Sequence, residues 1–192
     1  MKFLFFTFFS MLSTSIQVGE TITIDKKAAQ SALKTLRDIR HNPRDYAQEL
    51  NFNEDINRVS SVELIWNDTL AQVAEAKAFD LANRNYFDHV DPDGYGINYF
   101  IAESGYSLNP EWTVNKSDNN FESLAAGPPT GSEAIKKLVK DSRDPNRRHR
   151  KHLLGLDEWN GNVTDVGIGF SRCWSGCKFK TYVCVIIAKH DW

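Results

Sequence analysis

The amino-acid sequence predicts an α+β fold in which helices pack on the faces of a mainly antiparallel sheet. Apolar residues recur at helical spacing in several segments of residues 26–154, whereas strand-like apolar runs appear near the end, at residues 166–170 and 179–188. Helices first and strands last is the order typical of this fold class. The length of 192 residues suits one compact domain, which we place at residues 26–192.

Residues 1–18 have the features of a secretory signal peptide. Lys2 precedes an apolar run that ends at Leu12, and the small residues 13–15 follow it, so we expect cleavage after Ser15 or within a few residues of it. The run is too short for a bilayer-spanning helix, which needs about 20 apolar residues. A buried N-terminal helix is the less favoured alternative, because the run has no polar side. We therefore expect a secreted, periplasmic or extracellular protein without a transmembrane span in the mature chain.

The helical segments are separated by polar or irregular stretches. Asn42-Pro43 ends the first helix, and either Asn67 or Asp68 can cap the third by accepting hydrogen bonds from free backbone amides. Six helices are expected, at residues 26–40, 44–50, 69–85, 98–105, 132–140 and 145–154. The last two strands then form a hairpin whose tip carries cysteines.

The overall charge of the chain indicates no particular partner. The formal net charge is −2, which does not favour a polyanionic partner, and the expected export argues against nucleic acid. Basic side chains are concentrated between residues 136 and 151, where a solvated face is a more ordinary interpretation than a phosphate contact. This basic stretch contains Lys136, Lys137, Lys140, Arg143, Arg147, Arg148, Arg150 and Lys151.

The three cysteines lie close together near the C-terminus. In an oxidising compartment, Cys173 and Cys177 can form a disulfide across the hairpin tip. Cys184 would then be spare, and a buried free thiol is its ordinary role in an apolar strand. The spacings match no four-ligand zinc pattern.

Two histidines and one glutamate are the strongest site candidates: His89, Glu122 and His149. Imidazole nitrogen is a good ligand for zinc, and two histidines with a carboxylate would leave a coordination position open. His89 could instead cap a helix end, and His149 with His152, three residues apart, could bind a metal by themselves. Glu122 has apolar and small neighbours, so its burial without a partner would be costly.

These residues lie in local motifs whose order resembles the CAP superfamily. These are the SCP-like proteins, named for cysteine-rich secretory proteins, antigen 5 and pathogenesis-related 1, and the chain is similar to their bacterial type. The motifs are Leu64-x-Trp66-Asn67-x-x-Leu70, Phe87-x-His89, Asp93-Gly94, Gly105-Tyr106, the Glu122 segment, His149-Arg150-Lys151 with Leu153-Leu154, and Val166-Gly167-Ile168-Gly169.

The resemblance implies an α-β-α sandwich with an open cavity lined by two histidines and acidic residues, in which several members hold zinc or another divalent metal. His89, Glu122 and His149 match the cavity positions of the family. Ser123 and Arg148 stand where the family has Asn and Gly. Asp141 is a weak candidate for the second cavity acid, and His152 falls where the pattern has no ligand.

Two classes of function remain open. The family's diversity favours a non-catalytic module that binds a lipid, a glycan or a protein, and the alternative is an extracellular metal-dependent hydrolase or protease. No nucleophile elbow, His-Glu-x-x-His helix or phosphate loop is present in the sequence. Ser123 has no identified base, so a catalytic role for it has little support.

Overall fold

Five strands form one sheet in the computed structural model, which describes residues 21–52 and 56–190; the predicted signal peptide lies outside them. The strands are β1 (Ile22–Ile24), β2 (Ile65–Trp66), β3 (Glu122–Ala126), β4 (Asp165–Cys173) and β5 (Thr181–Ala188). The sheet order is β1-β4-β5-β3, and β2 pairs with the start of β4 whereas β1 pairs with its end. Only the β2–β4 pairing is parallel, so the predicted, mainly antiparallel sheet is confirmed.

Seven α-helices occur in the described part of the chain. They are α1 (Lys26–His41), α2 (Pro43–Tyr46), α3 (Asp68–Asn83), α4 (Ile97–Glu103), α5 (Gly131–Lys140), α6 (Arg148–Leu154) and α7 (Glu158–Gly161). Asn67 caps α3, since its side-chain oxygen accepts a hydrogen bond from the Leu70 amide at 3.1 Å.

Several boundaries differ from the sequence prediction. Helix α2 ends at Tyr46 instead of residue 50, and α6 begins at Arg148, because Arg147 adopts a left-handed conformation with φ 51° that a helix cannot include. Strands β1, β2 and β3 and helix α7 were not predicted. All four are short and lack a run long enough to show a period.

Helix α3 packs closely on the centre of the sheet. A Cβ atom at Gly167 would lie 2.2 Å from the Leu70 backbone, and one at Gly169 would lie 2.1 Å from the Ala74 backbone. These glycines let the helix approach the strand where any side chain would collide with it. Helices α1 and α5 pack together and contact β4 and β3, which completes the α-β-α sandwich that the resemblance implies.

The cysteines follow the prediction. Cys173 and Cys177 form a disulfide at the β4–β5 hairpin tip, with their Cα atoms 6.2 Å apart. Cys184 is a buried free thiol on β5.

The basic stretch is not wholly a solvated face, and the prediction was wrong for Arg150. Its side chain is completely buried, with Nε donating to the Val139 carbonyl at 2.6 Å and Nη2 to the Leu50 carbonyl at 2.8 Å. The guanidinium therefore ties two backbone segments, residues 50–51 and the end of α5, to helix α6. Across residues 21–52 and 56–190, no helix has the length and apolarity needed to cross a membrane.

Candidate functional site: a histidine-lined cavity

The main candidate site residues predicted from the sequence line one open cavity of about 400 Å³. Among the described residues, however, the ligand atoms of His89, Glu122 and His149 do not form a group within 4.8 Å of one another. His89, Glu122 and His149 all line it, as does the weaker candidate His152. Asp141 is not among the lining residues but contacts His149. The remaining lining residues are Asn119, Asn120, Ser123, Arg148, Lys151, Asp157, Trp159 and Asn160.

Glu122 fixes the first cavity histidine. It is the first residue of β3, its side chain is fully buried, and its Oε1 lies 2.7 Å from Nδ1 of His89. The Cys184 thiol donates to the other oxygen at 3.5 Å, and burial beside this carboxylate raises the pKa of Cys184 well above its usual value. Lys77 donates to the His89 carbonyl at 2.9 Å, which holds the backbone of the same residue. His89 is therefore held through both its ring and its backbone, and it does not serve as a helix cap.

Asp141 fixes the second cavity histidine in the same way. It follows α5 in a left-handed conformation with φ 42°, which turns the chain towards α6. One carboxylate oxygen lies 2.8 Å from Nδ1 of His149, and the other accepts a hydrogen bond from the His149 amide at 3.0 Å. Asp141 thus holds His149 through both its ring and its backbone.

The two carboxylates determine which ring nitrogens are available. Because an ionised carboxylate only accepts, a neutral imidazole beside it donates from Nδ1 and keeps its lone pair on Nε2. Within the described part of the chain, no residue forms a hydrogen bond with Nε2 of His89 or His149. A carboxylate behind a histidine is the usual arrangement of histidines that bind metal.

His152 has a different environment. Its Nδ1 lies 2.7 Å from the Ser123 hydroxyl, and its Nε2 is buried with no hydrogen-bond partner among the described residues. Burial lowers the pKa of His152 to about 4, and the neighbouring Arg40, His149 and His89 act in the same direction. The ring is therefore neutral near pH 7. The Ser123 hydroxyl does have a histidine neighbour, but Ser123 is only 1% exposed.

A second group of possible metal ligands overlaps this site. One ligand atom from each of Asp141, Asp144 and His149 lies within 4.8 Å of the others. The Asp144 carboxylate already accepts from the Arg148 guanidinium at 2.7 Å, a contact that lowers the pKa of Asp144. This pairing competes with any metal at the second group.

Comparisons with known proteins agree with this architecture. A family model described as CAP, the cysteine-rich secretory protein family, matches residues 51–186. The chain belongs to the CAP family. Among curated proteins, it is 30% identical over 105 residues to "Uncharacterized protein YkwD" of Bacillus subtilis, a match that covers 54% of this chain and 33% of YkwD. The chain thus matches about a third of the length of that relative.

Two solved structures share the fold of this CAP domain. An extracellular protein containing a SCP domain from Bacillus anthracis has a TM-score of 0.51 and 19% identity, over 86% of this chain and 41% of the other. An outer surface protein from Borrelia burgdorferi has a TM-score of 0.52 and 17% identity, over 87% of this chain and 97% of the other. At these identities the comparison shows the fold alone, and it confirms the predicted sandwich.

Other residues of this region were predicted weakly or not at all. Asp141 was only a weak candidate because no fixed spacing relates it to His149, and Cys184 was predicted only to be a buried free thiol. The sequence analysis predicted no site role for Trp159 or Asn160. The signal that could have indicated Trp159 is its polar surroundings, because a Trp between Glu and Asn-Gly is typical of an exposed ring.

Proposed function

We propose that this CAP domain is a non-catalytic binding module of a secreted or envelope protein, and that its cavity binds a divalent metal such as Zn²⁺ through His89 and His149. The observation that carries the proposal is the pair of histidine–carboxylate contacts, 2.7 Å at His89 and 2.8 Å at His149, on one cavity. Each contact leaves Nε2 as the nitrogen that can bind a ligand.

The chemistry of these residues suits zinc. Neutral imidazole is a preferred zinc ligand, and Glu122 and Asp141 would orient the rings and raise their basicity instead of binding the ion. Two protein ligands leave positions for water or for an oxygen of a bound lipid, glycan or protein. When bound, the metal would supply a Lewis-acid site that attracts such an oxygen.

Three observations support a location outside the cytoplasm. The N-terminal residues have the composition of a signal peptide, and the Cys173–Cys177 disulfide is typical of oxidising compartments. In addition, one of the two structural neighbours is described as an extracellular protein and the other as an outer surface protein.

Zinc titration calorimetry near pH 7 tests the metal site. We expect saturable binding to the wild-type chain and its loss in both His89→Ala and His149→Ala. His41→Ala, at the exposed end of α1, controls for histidine removal and should bind normally. Asp144→Asn separates the two possible ligand groups: unchanged binding supports the cavity, whereas loss of binding places the metal at Asp141, Asp144 and His149 instead. Absence of binding to the wild type would refute the proposed metal site.

The alternative function is an extracellular metal-dependent hydrolase or protease that uses the same cavity. The observation in its favour is that the cavity is open and would leave a metal coordination position for water, whose pKa zinc can lower to about 7. Zinc-loaded protein that cleaves casein or a nitrophenyl ester, with activity lost in His149→Ala, would establish it.

A further inference from the structure

A second cleft lies beside the histidine cavity and has a different chemistry. Its volume is about 700 Å³, within the roughly 300–1,000 Å³ of small-molecule sites. Two tryptophans, Trp112 and Trp159, line it together with polar side chains from α7 and the segment after it. Trp159 and Asn160 also line the histidine cavity, so the cleft and the cavity are neighbours.

The Trp159 indole is exposed but firmly supported. Trp159 is 43% exposed, whereas tryptophan is highly buried on average. Trp112 meets it edge-to-face with centroids 5.1 Å apart, and Phe121, which is fully buried, lies stacked at 6.0 Å. These contacts pre-order the ring, so a ligand that stacks on it would not have to immobilise a flexible side chain.

Two amide oxygens beside the ring are held ready to accept hydrogen bonds. The Asn160 amide nitrogen donates to both Asp157 oxygens, at 2.8 and 2.9 Å, and the Asn162 amide nitrogen donates to the Glu158 carbonyl at 2.8 Å. Because the Asp157 carboxylate and the Glu158 carbonyl only accept hydrogen bonds, the NH₂ group of each asparagine points towards its acceptor. The side-chain oxygens of Asn160 and Asn162 have no hydrogen-bond donor among the described residues.

The charged side chains of the cleft have both signs. The Asp157 and Glu158 carboxylates can accept hydrogen bonds and the Lys189 ammonium can donate them, and all three residues line the cleft. An anionic ligand would therefore meet two like charges, and a cationic ligand would meet one. A neutral ligand that carries both donors and acceptors meets none.

We propose that the Trp159 cleft binds a neutral saccharide chain. The apolar face of a sugar ring can stack on the exposed indole, and its hydroxyl groups can donate to the Asn160 and Asn162 oxygens and accept from Lys189. A quaternary ammonium group could also stack on the ring, but it has no N–H or O–H to donate to the two amide oxygens. The proposal is independent of any metal in the histidine cavity.

Calorimetric titration in the presence of EDTA tests the cleft without the metal. The probes are the hexamer of β-1,4-linked N-acetylglucosamine and cellohexaose, with choline as the quaternary ammonium comparison. We expect at least one hexasaccharide to bind and Trp159→Ala to weaken it about tenfold or more, because the stacking surface is lost. Trp159→Phe should recover part of the affinity, since it keeps a flat ring.

The matched control is Trp174→Ala. Trp174 is 63% exposed at the hairpin tip, outside the cleft, so its removal should leave saccharide binding unchanged. The proposal is overturned if neither hexasaccharide binds, if the Trp159 and Trp174 variants lose affinity equally, or if choline binds at Trp159 and the saccharides do not.

Discussion

His152 should make the stability of this protein depend on pH through a change at one buried ring. The ring is shielded from water, contacts Ser123 and has a pKa of about 4, compared with about 6.5 in an unfolded chain. Below pH 6.5, His152 takes up a proton in the unfolded chain but not in the folded protein. The free energy of unfolding therefore falls as the pH is lowered from 6.5 to 4, and above pH 6.5 this residue does not change it.

The magnitude follows from the two pKa values. With 1.36 kcal/mol per pKa unit, the unfolding free energy should fall by about 2–3 kcal/mol between pH 7.5 and 4.5 from this residue alone. His152→Asn places an amide near the Nδ1 position and does not titrate. It should cost about 1–2 kcal/mol at pH 7.5 through lost packing, yet its stability should decline less towards pH 4.5.

Urea unfolding followed by tryptophan fluorescence, with EDTA present, measures both chains at each pH. The relevant quantity is the difference between the wild type and His152→Asn, because the other titrating groups are common to both. His41→Asn serves as the surface histidine control and should follow the wild type. Parallel stability profiles for the wild type and His152→Asn would refute the assignment of a buried neutral ring.

Three further changes test other parts of the structure. Gly169→Ala puts a Cβ 2.1 Å from the α3 backbone, so the free energy of unfolding in urea should fall by about 1–3 kcal/mol or more. The control Gly161→Ala, whose Cβ has its nearest atom at 3.4 Å, should lower it by less than about 1 kcal/mol. Equal losses in the two variants would contradict the close helix–strand contact. Replacing Cys173 and Cys177 by Ala removes a short closed loop and should lower the unfolding free energy by about 2 kcal/mol, and no change would mean that the disulfide adds no stability. Glu122→Gln keeps the side-chain shape but loses the charge, so zinc affinity measured by calorimetry should fall about 10- to 100-fold; an unchanged affinity would exclude an orienting role.

The sequence predicted the fold class because long periodic segments dominate it. Helices α1 and α3 and the β4–β5 hairpin carry enough residues to show their periods, and their positions agree with the structure within a few residues. Strand β3 was missed because Glu122 and the small residues after it have neither alternation nor β-branching. Its strand conformation comes from pairing with β5, which is a tertiary contact.

The candidate site was predictable in part. Family motifs pointed to His89, Glu122 and His149, which line one cavity, although their roles remain a proposal. The partnership of Asp141 with His149 depends on a left-handed turn that no periodicity encodes. Burial of Arg150 was not predicted either, since its carbonyl partners come from distant segments of the chain.

X-ray absorption at the zinc edge, on zinc-loaded wild type and His149→Ala, tests the central proposal most directly. We expect two imidazole nitrogens at about 2.0–2.1 Å in the wild type, completed by oxygen and without sulfur. The His149→Ala spectrum should show at most one imidazole. A sulfur shell near about 2.3 Å, or an imidazole count that does not change in the variant, would contradict a metal site shared by His89 and His149.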